Sequence, residues 1–409
     1  MQSIEEIFHI GYGPSSSHTM GPQRAAEYFK KKYPEAESFT VILYGSLAAT
    51  GKGHLTDKTI IATLAPSPTS IEWLDKESLP LHPNGMVFNA VDQEGSIIGD
   101  WTVYSIGGGA IRSEEDWNTQ EPPVYRLTTM DDILKWNADT GGNLWEFVEL
   151  HEGPEVWTFL ETVWAVMKDS IKHGLENEGL LPGTLRLQRR AAGYQTKSIN
   201  SSRILKEIGG VSAYALAVAE ENAGGGKVVT APTCGSAGVV PAVLYFLQES
   251  YNFSDLRIIR ALATAGLIGN LVKKNASISG AKVGCQGEIG TACAMAAGAA
   301  TQLLGGTVTQ IEYAAEMGIE HHLGLTCDPV EGYVQIPCIE RNAAAAGRVL
   351  QCASFSLFSD GSHRISFDEV VQTMKETGED MKIAYKETSR KGLAKNWLLS
   401  ETKTVGSGQ

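Results

Sequence analysis

The sequence predicts an α/β N-terminal domain over residues 1 to about 150 and an all-α C-terminal domain over about 155 to 400. Three observations carry this. At 409 residues the chain has room for two or three domains of about 150 residues each. Its first part mixes β-rich runs and turn signals with a helical stretch. Its later part consists almost wholly of helix-length segments with apolar periodicity.

In chain order, "TMGPQRAAEYFKKKY" comes first and has helical periodicity, with Ala25, Ala26 and Phe29 on one face. "SFTVILYGSL" and "MVFNAVDQEGSIIGDWTVYSIGGG" are rich in β-branched and aromatic residues, and "QEGS" reads as a turn between two runs. The charged segment "RSEEDWNTQEPPVYRL", interrupted by Pro122 and Pro123, reads as a loop or the approach to a domain boundary. Beyond it come four helical segments: "EVWTFLETVWAVMKDSIKHGL", "NSSRILKEIGGVSAYALAVAEENAG", "VVPAVLYFLQESY" and "SDLRIIRALATAGLIGNLVKK". Several open after Asn, Ser or Pro, and Ser254-Asp255 is a good N-cap pair. "GTACAMAAGAATQLLGG" is dense in small residues that let helices approach closely, so it reads as a central buried helix. The polar tail "SETKTVGSGQ" reads as frayed.

Composition narrows the function. With 43% hydrophobic and 20% charged residues, the chain can build a sizeable core and is not disordered. A net charge of −13 argues against nucleic acid or an anionic membrane as a partner, though local arginines can still hold a small anion. The N-terminus has neither a basic region nor a long apolar run, so no secretory signal is expected. No stretch is long and apolar enough to read as a membrane span. The expected compartment is the cytoplasm. There the six cysteines (Cys234, Cys285, Cys293, Cys327, Cys338 and Cys352) stay free, metal-bound or catalytic rather than disulfide-paired.

Four stretches could carry chemistry. Cys285, Cys327 and Cys338 lie 42 and 11 residues apart, outside the short spacings of zinc fingers and ferredoxins. Their Gly-, Pro- and charge-rich flanks suit a backbone that must approach a bulky inorganic group. Buried cysteine is also commonly inert, which is the reading kept for Cys293 and Cys352 in their apolar helical text. "GYGPSSSHTMGP" sets Ser15, Ser16, Ser17, His18 and Thr19 after a Gly-Pro turn and before a helix. That is either an anion cradle or an elaborate helix cap. "ATGKGHLTDK" puts His54 on a Gly-rich loop, where it either reaches into a site or sits in solvent. "VVTAPTCGSAGVVPAVL" reads as extended chain, then a Pro- and Gly-rich turn, then a helix. "GGGKVV" lacks the order of a phosphate loop, and "SIGGGAI" reads as a turn.

Together "GPSSSHTMGP", "GKGHLTDK", "SIGGGAI", "VVTAPTCGSAGVVPAVL", "NASISGAKVGCQGEIG" and "EHHLGLTCDPVEGYVQIPCIERNAAAA" resemble the bacterial iron–sulfur L-serine dehydratase family from about residue 3 to about 394. The resemblance implies an N-terminal domain similar to an allosteric substrate-binding domain and a helical catalytic domain holding a 4Fe–4S cluster on Cys285, Cys327 and Cys338. It implies β-elimination of water from L-serine to give pyruvate and ammonia, without pyridoxal phosphate. It also implies a homodimer. Three protein ligands leave one iron open as a Lewis acid, by the logic of an open catalytic zinc. A histidine of near-neutral pKa suits removal of the Cα proton, with His54 the first choice and His18 the second. Ser15, Ser16, Ser17 and Thr19 would hold the substrate's carboxylate or amine, with Asn275, Lys282 and Arg341 as further candidates, so the site is expected between the domains.

The sequence departs from the family pattern at Cys234, where relatives generally have Asn; it is not expected to be a ligand. Some relatives also end in a cysteine that caps the open iron. Here the last cysteine is Cys352, so that position is expected to stay free for substrate, water or a small thiol. Two alternatives remain at this level. One is the same chemistry on L-threonine or L-cysteine, which relative turnover decides. The other is a serine-sensing protein with a structural cluster, which would have no need of a base.

Overall fold

The computed structural model describes residues 1–119 and 122–406. Seven strands form two sheets: β1 (Ile10–Tyr12), β2 (Ser38–Tyr44), β3 (Thr69–Leu74), β4 (Gly85–Val91), β5 (Ile97–Gly107), β6 (Ala110–Ser113) and β7 (Lys227–Val229). Five make a mixed sheet in the order β3-β2-β4-β5-β6, with β2 and β3 parallel and the other neighbours antiparallel.

Along β2, Phe39, Val41 and Leu43 alternate inward, the period-2 signature of a half-buried strand. They share a core with Ala25, Ala26 and Phe29 of the helix Gly21–Lys32, whose Phe29 ring lies parallel to Trp101 at 6.3 Å. The expected turn in "SIGGGAI" is the β5–β6 hairpin. Gly107, Gly108 and Gly109 all have positive φ there, which side-chain-bearing residues rarely adopt.

The rest is a helical body, as the sequence predicted. The four expected helices are Glu155–Glu176, Arg203–Ala223, Val239–Tyr251 and Asp255–Asn275, the last opening from Ser254. The central helix Thr291–Leu303 is buried at every residue except Gln302, because its small side chains offer no polar face. Helices 255–275, 308–320 and 338–358 pack around it.

Three features depart from the sequence reading. Met1, Ile4, Ile7 and Phe8 insert into the core of the helical body rather than that of the sheet. Two helices, Met130–Thr140 and Leu144–Glu152, also pack there, so the change of core and the expected boundary near 150 do not coincide. The tail expected to fray from Ser400 instead continues the helix Gly392–Gly406. Residues 407–409, and residues 120 and 121 of the expected charged loop, lie outside the described residues. Among the described residues no helix is long and apolar enough to cross a membrane.

The N-terminal path ties the two units together. After Phe8, β1 pairs antiparallel with β7 of the second half. Asn222 then donates to the Pro14 carbonyl at 2.8 Å. Only afterwards does the chain enter the helix Gly21–Lys32 of the sheet unit, so the turn carrying Ser15 to Thr19 is strung between the two units.

Candidate active site

Ser15 caps a π-helical turn, Ser16–Met20, that runs straight into the helix Gly21–Lys32; its Oγ accepts from the His18 backbone N–H at 3.1 Å. The turn buries Ser16, Ser17, His18 and Thr19. The Thr19 hydroxyl donates to the His54 carbonyl at 2.7 Å, and the Thr56 hydroxyl donates to the His18 carbonyl at 2.6 Å. These bonds lock the "SSSH" turn to the "GKGH" loop and bring the His18 and His54 rings to 4.5 Å between centroids. The serine-rich turn is thus a helix cap whose Ser15 and Thr19 oxygens already serve the backbone. His54 is not a solvated loop residue, being only 2% exposed.

The two imidazoles differ. His54 Nδ1 lies 3.1 Å from the Thr50 carbonyl. A carbonyl can only accept, so Nδ1 carries the proton and Nε2 the lone pair. Burial first, then His18, lower the His54 pKa to about 3 against the pull of Glu387, which keeps the ring neutral. His18 has both nitrogens engaged: Nδ1 faces Glu387 Oε1 at 3.2 Å and Ser17 Oγ at 2.8 Å, and Nε2 faces Ser46 Oγ at 3.2 Å.

Glu387 comes from the far end of the chain. The Cys327 N–H donates to the Tyr385 carbonyl and the Thr388 N–H donates to the Cys327 carbonyl, at 2.9 and 3.0 Å. One short segment is therefore pinned to a cysteine while it sets a carboxylate against a histidine. Burial alone would raise that carboxyl, but His18, His54 and the Ser17 hydroxyl outweigh it and hold the pKa at about 2.

On the helical side, Cys285, Glu288 and Cys327 bring ligand atoms within 4.8 Å of one another. The Glu288 carboxylate takes the Cys285 and Cys327 thiols at 3.6 and 3.7 Å and the Thr233 hydroxyl at 2.8 Å. Burial and then Glu387 raise its pKa to about 7. Cys338 opens the helix Cys338–Phe358 and feels the charge of Cys285 and Arg341. Although burial opposes its charge, Arg341 is held more firmly protonated by the three thiol groups and Asp328, while its Nη1 donates to the Thr326 carbonyl at 2.7 Å. A Cβ on Gly280 would stand 3.1 Å from Cys327 Sγ and 2.7 Å from Glu288 Oε2, so only glycine leaves this pocket open. Two buried sulfurs, the half-buried Cys338 sulfur nearby, a backbone that makes room and an adjacent guanidinium fit a soft, thiolate-bound metal group.

The structure brings His18, His54, the serine turn, Arg341 and the three cysteines into one electrostatically connected region. It does not bring all the candidates there. The Asn275 side chain donates to the Thr128 carbonyl at 2.8 Å, at a helix end. Lys282 is exposed, though near enough to depress His82. Cys234, buried beside Met20, and Cys338 both lie outside the 4.8 Å group of Cys285, Glu288 and Cys327, although Cys338 feels the charge of Cys285. A cavity of about 990 Å³ beside Lys30, Lys31 and Lys58 contains none of the candidate residues. A smaller one of about 130 Å³ borders the His54 loop and is lined by Pro14, Gly53, Leu55, Tyr333 and Gln335 from both units.

Sequence reading missed three residues: Glu387, Glu288 and His82. His82 is 4% exposed; its Nδ1 accepts from the Asn84 N–H, and its Nε2 is buried without a partner among the described residues. Burial, then Lys282, lower its pKa to about 4.

A family model described as serine dehydratase alpha chain matches residues 93–394, and one described as serine dehydratase beta chain matches residues 3–72 and 63–116. The L-serine dehydratase of Streptomyces coelicolor is 42% identical over 96% of this chain and 98% of its own length. The chain belongs to the serine dehydratase family. Similar relatives include the L-serine dehydratase of Haemophilus influenzae and L-serine dehydratase 1 of Escherichia coli. Each is 41% identical over 96% of this chain and 99% of its own length. The alpha-chain match holds all three thiols of the group, and the beta-chain match holds both histidines, so the family's two parts meet at this site.

Proposed function

We propose that the chain is an L-serine dehydratase that eliminates water from L-serine to give pyruvate and ammonia. Cys285, Cys327 and Cys338 are the ligands of a 4Fe–4S cluster in this reading. The observation that carries it is the convergence of the buried Cys285 and Cys327 thiols, the half-buried Cys338 and Arg341 with a histidine pair from the other half of the chain. When bound, the cluster supplies a Lewis acid for the serine hydroxyl, a poor leaving group unaided.

The chain's own residues do the rest. His54 Nε2, the free lone pair, takes the Cα proton. The Glu387 carboxylate offsets part of the cost of charging that buried ring, and it orients His18 through Nδ1. Arg341 faces the substrate carboxylate, with Ser16 and Ser17 at the mouth of the serine turn. Loss of the Cα proton and of hydroxide leaves an enamine, which tautomerises and hydrolyses to pyruvate and ammonia. The six unbridged cysteines fit a reducing compartment such as the cytoplasm.

The direct test is to incubate anaerobically purified protein with L-serine and measure both products. Equal pyruvate and ammonia, without added pyridoxal phosphate, supports the reading. Absence of pyruvate, or dependence on pyridoxal phosphate, sinks it.

A further inference from the structure

A cavity of about 560 Å³ opens where the helices Val308–Glu320 and Cys338–Phe358 meet the segment 363–365, and it shares no residue with the candidate active site. That volume is in the range of small-molecule sites. Its polar groups are unusual. Glu316 is only 3% exposed, lines the cavity, and makes no hydrogen bond or ion pair among the described residues. One turn earlier on the same helix, Glu312 is equally buried but satisfied: it pairs with His363 at 3.0 Å and accepts the Phe367 N–H at 2.7 Å. The Glu316 carboxyl opens onto the cavity, where no protein group among the described residues pairs with it. Burial, with Glu320 and Glu312 nearby, raises its pKa to about 8.

On the second helix, the half-buried Arg348 likewise makes no ion pair among the described residues, and Arg364 at the rim makes none either. The walls between them are aromatic. Tyr313 stacks on His363 at 4.2 Å, and Phe355 stands edge-on to Tyr313. A bare cation would meet the arginines, and a simple anion would meet Glu316 and Glu320. A single ligand carrying both charges and an apolar body satisfies all of these groups.

We propose that this cavity is a second binding site, for a free α-amino acid with an apolar side chain. Glu316 takes its ammonium, Arg348 its carboxylate, and Tyr313 and Phe355 its side chain. The site is distinct from the thiol and histidine cluster, and its occupancy does not depend on serine being the substrate.

The test is calorimetric titration of the intact, metal-loaded protein with L-phenylalanine, and in parallel with 2-phenylethylamine and 3-phenylpropionate. L-Phenylalanine binds, and each analogue lacking one charge binds at least about tenfold more weakly. Glu316→Gln, nearly isosteric, and Arg348→Met each weaken L-phenylalanine binding by about tenfold or more, while iron content stays at the wild-type value. No binding at millimolar L-phenylalanine overturns the proposal. So does equal binding of the amine or the acid, or binding that survives both substitutions.

Discussion

Two groups of cysteines in this protein differ little in burial and greatly in surroundings. Cys293 and Cys352 face each other between the central helix and the helix Cys338–Phe358, with the Ala345 carbonyl 3.8 Å from Cys293 Sγ. Cys285 and Cys327 are just as hidden, yet they face Glu288, the open space kept by Gly280, and Arg341. Burial alone therefore does not separate the proposed ligands from the other thiols. What distinguishes the second group is irregular backbone and a shared carboxylate, Glu288, that both thiols face; Cys352 borders the cavity of about 560 Å³ but from within a regular helix. The first group belongs to packed helices and contributes volume.

The sharpest way to break this contrast is to remove one thiol from each group. Cys327→Ala should abolish turnover of L-serine, whereas Cys293→Ala should leave it near wild type and cost about 1 kcal/mol in thermal unfolding. Next in size is the histidine pair. His54→Gln should lower kcat by about 10²–10⁴-fold with iron content unchanged, the scale of a lost general base. An unchanged kcat would remove His54 from the role. Glu387→Gln should cost less, about 10–100-fold, because it removes one charged partner of His18 and His54.

The same substitution has a signature in pH. Glu387 has its pKa held at about 2, below the ordinary carboxylate value. Its contribution is therefore present above about pH 4.5 and lost as the pH falls towards 2, roughly 3 kcal/mol across that window. Urea midpoints of the Gln variant should converge on those of the wild type below pH 4.5. His54 and His82, held neutral by burial, erode stability with the same sign but from below about pH 6.5. The smallest effects belong to candidates that lie apart. Asn275→Ala should cost about 1 kcal/mol of stability and leave KM for L-serine unchanged. Lys282→Gln, on an exposed side chain, should change KM by no more than about twofold.

Much of the fold was legible. Strand β2 is rich in β-branched and aromatic residues, Ser254-Asp255 opens its helix, and the small-residue run is the buried central helix. These features depend on local periodicity and caps, which a sequence displays directly. The cysteines and histidines stood out in the sequence because their motifs are long. Glu387 did not: "YKETSRKG" reads as a solvated charged run, and only the backbone pairing with Cys327 buries it against His18. His82 sits in a Pro-rich loop with no motif, and Glu288 follows Cys285 by three residues without a spacing that signals a ligand. Insertion of Met1 to Phe8 into the helical core is a tertiary event with no local mark. The helices at 130–140 and 144–152 did have readable caps, Thr129 with Gly141 and Asn143 with Glu146.

The central claim is that surroundings, not burial, make the metal site. Anaerobic iron and acid-labile sulfide analysis of the wild type, Cys327→Ala and Cys293→Ala tests it most directly. Wild type and Cys293→Ala should each hold about four irons and four sulfides per chain, and Cys327→Ala close to none. Equal iron in both variants, or a wild type that turns over L-serine fully without iron, would contradict it.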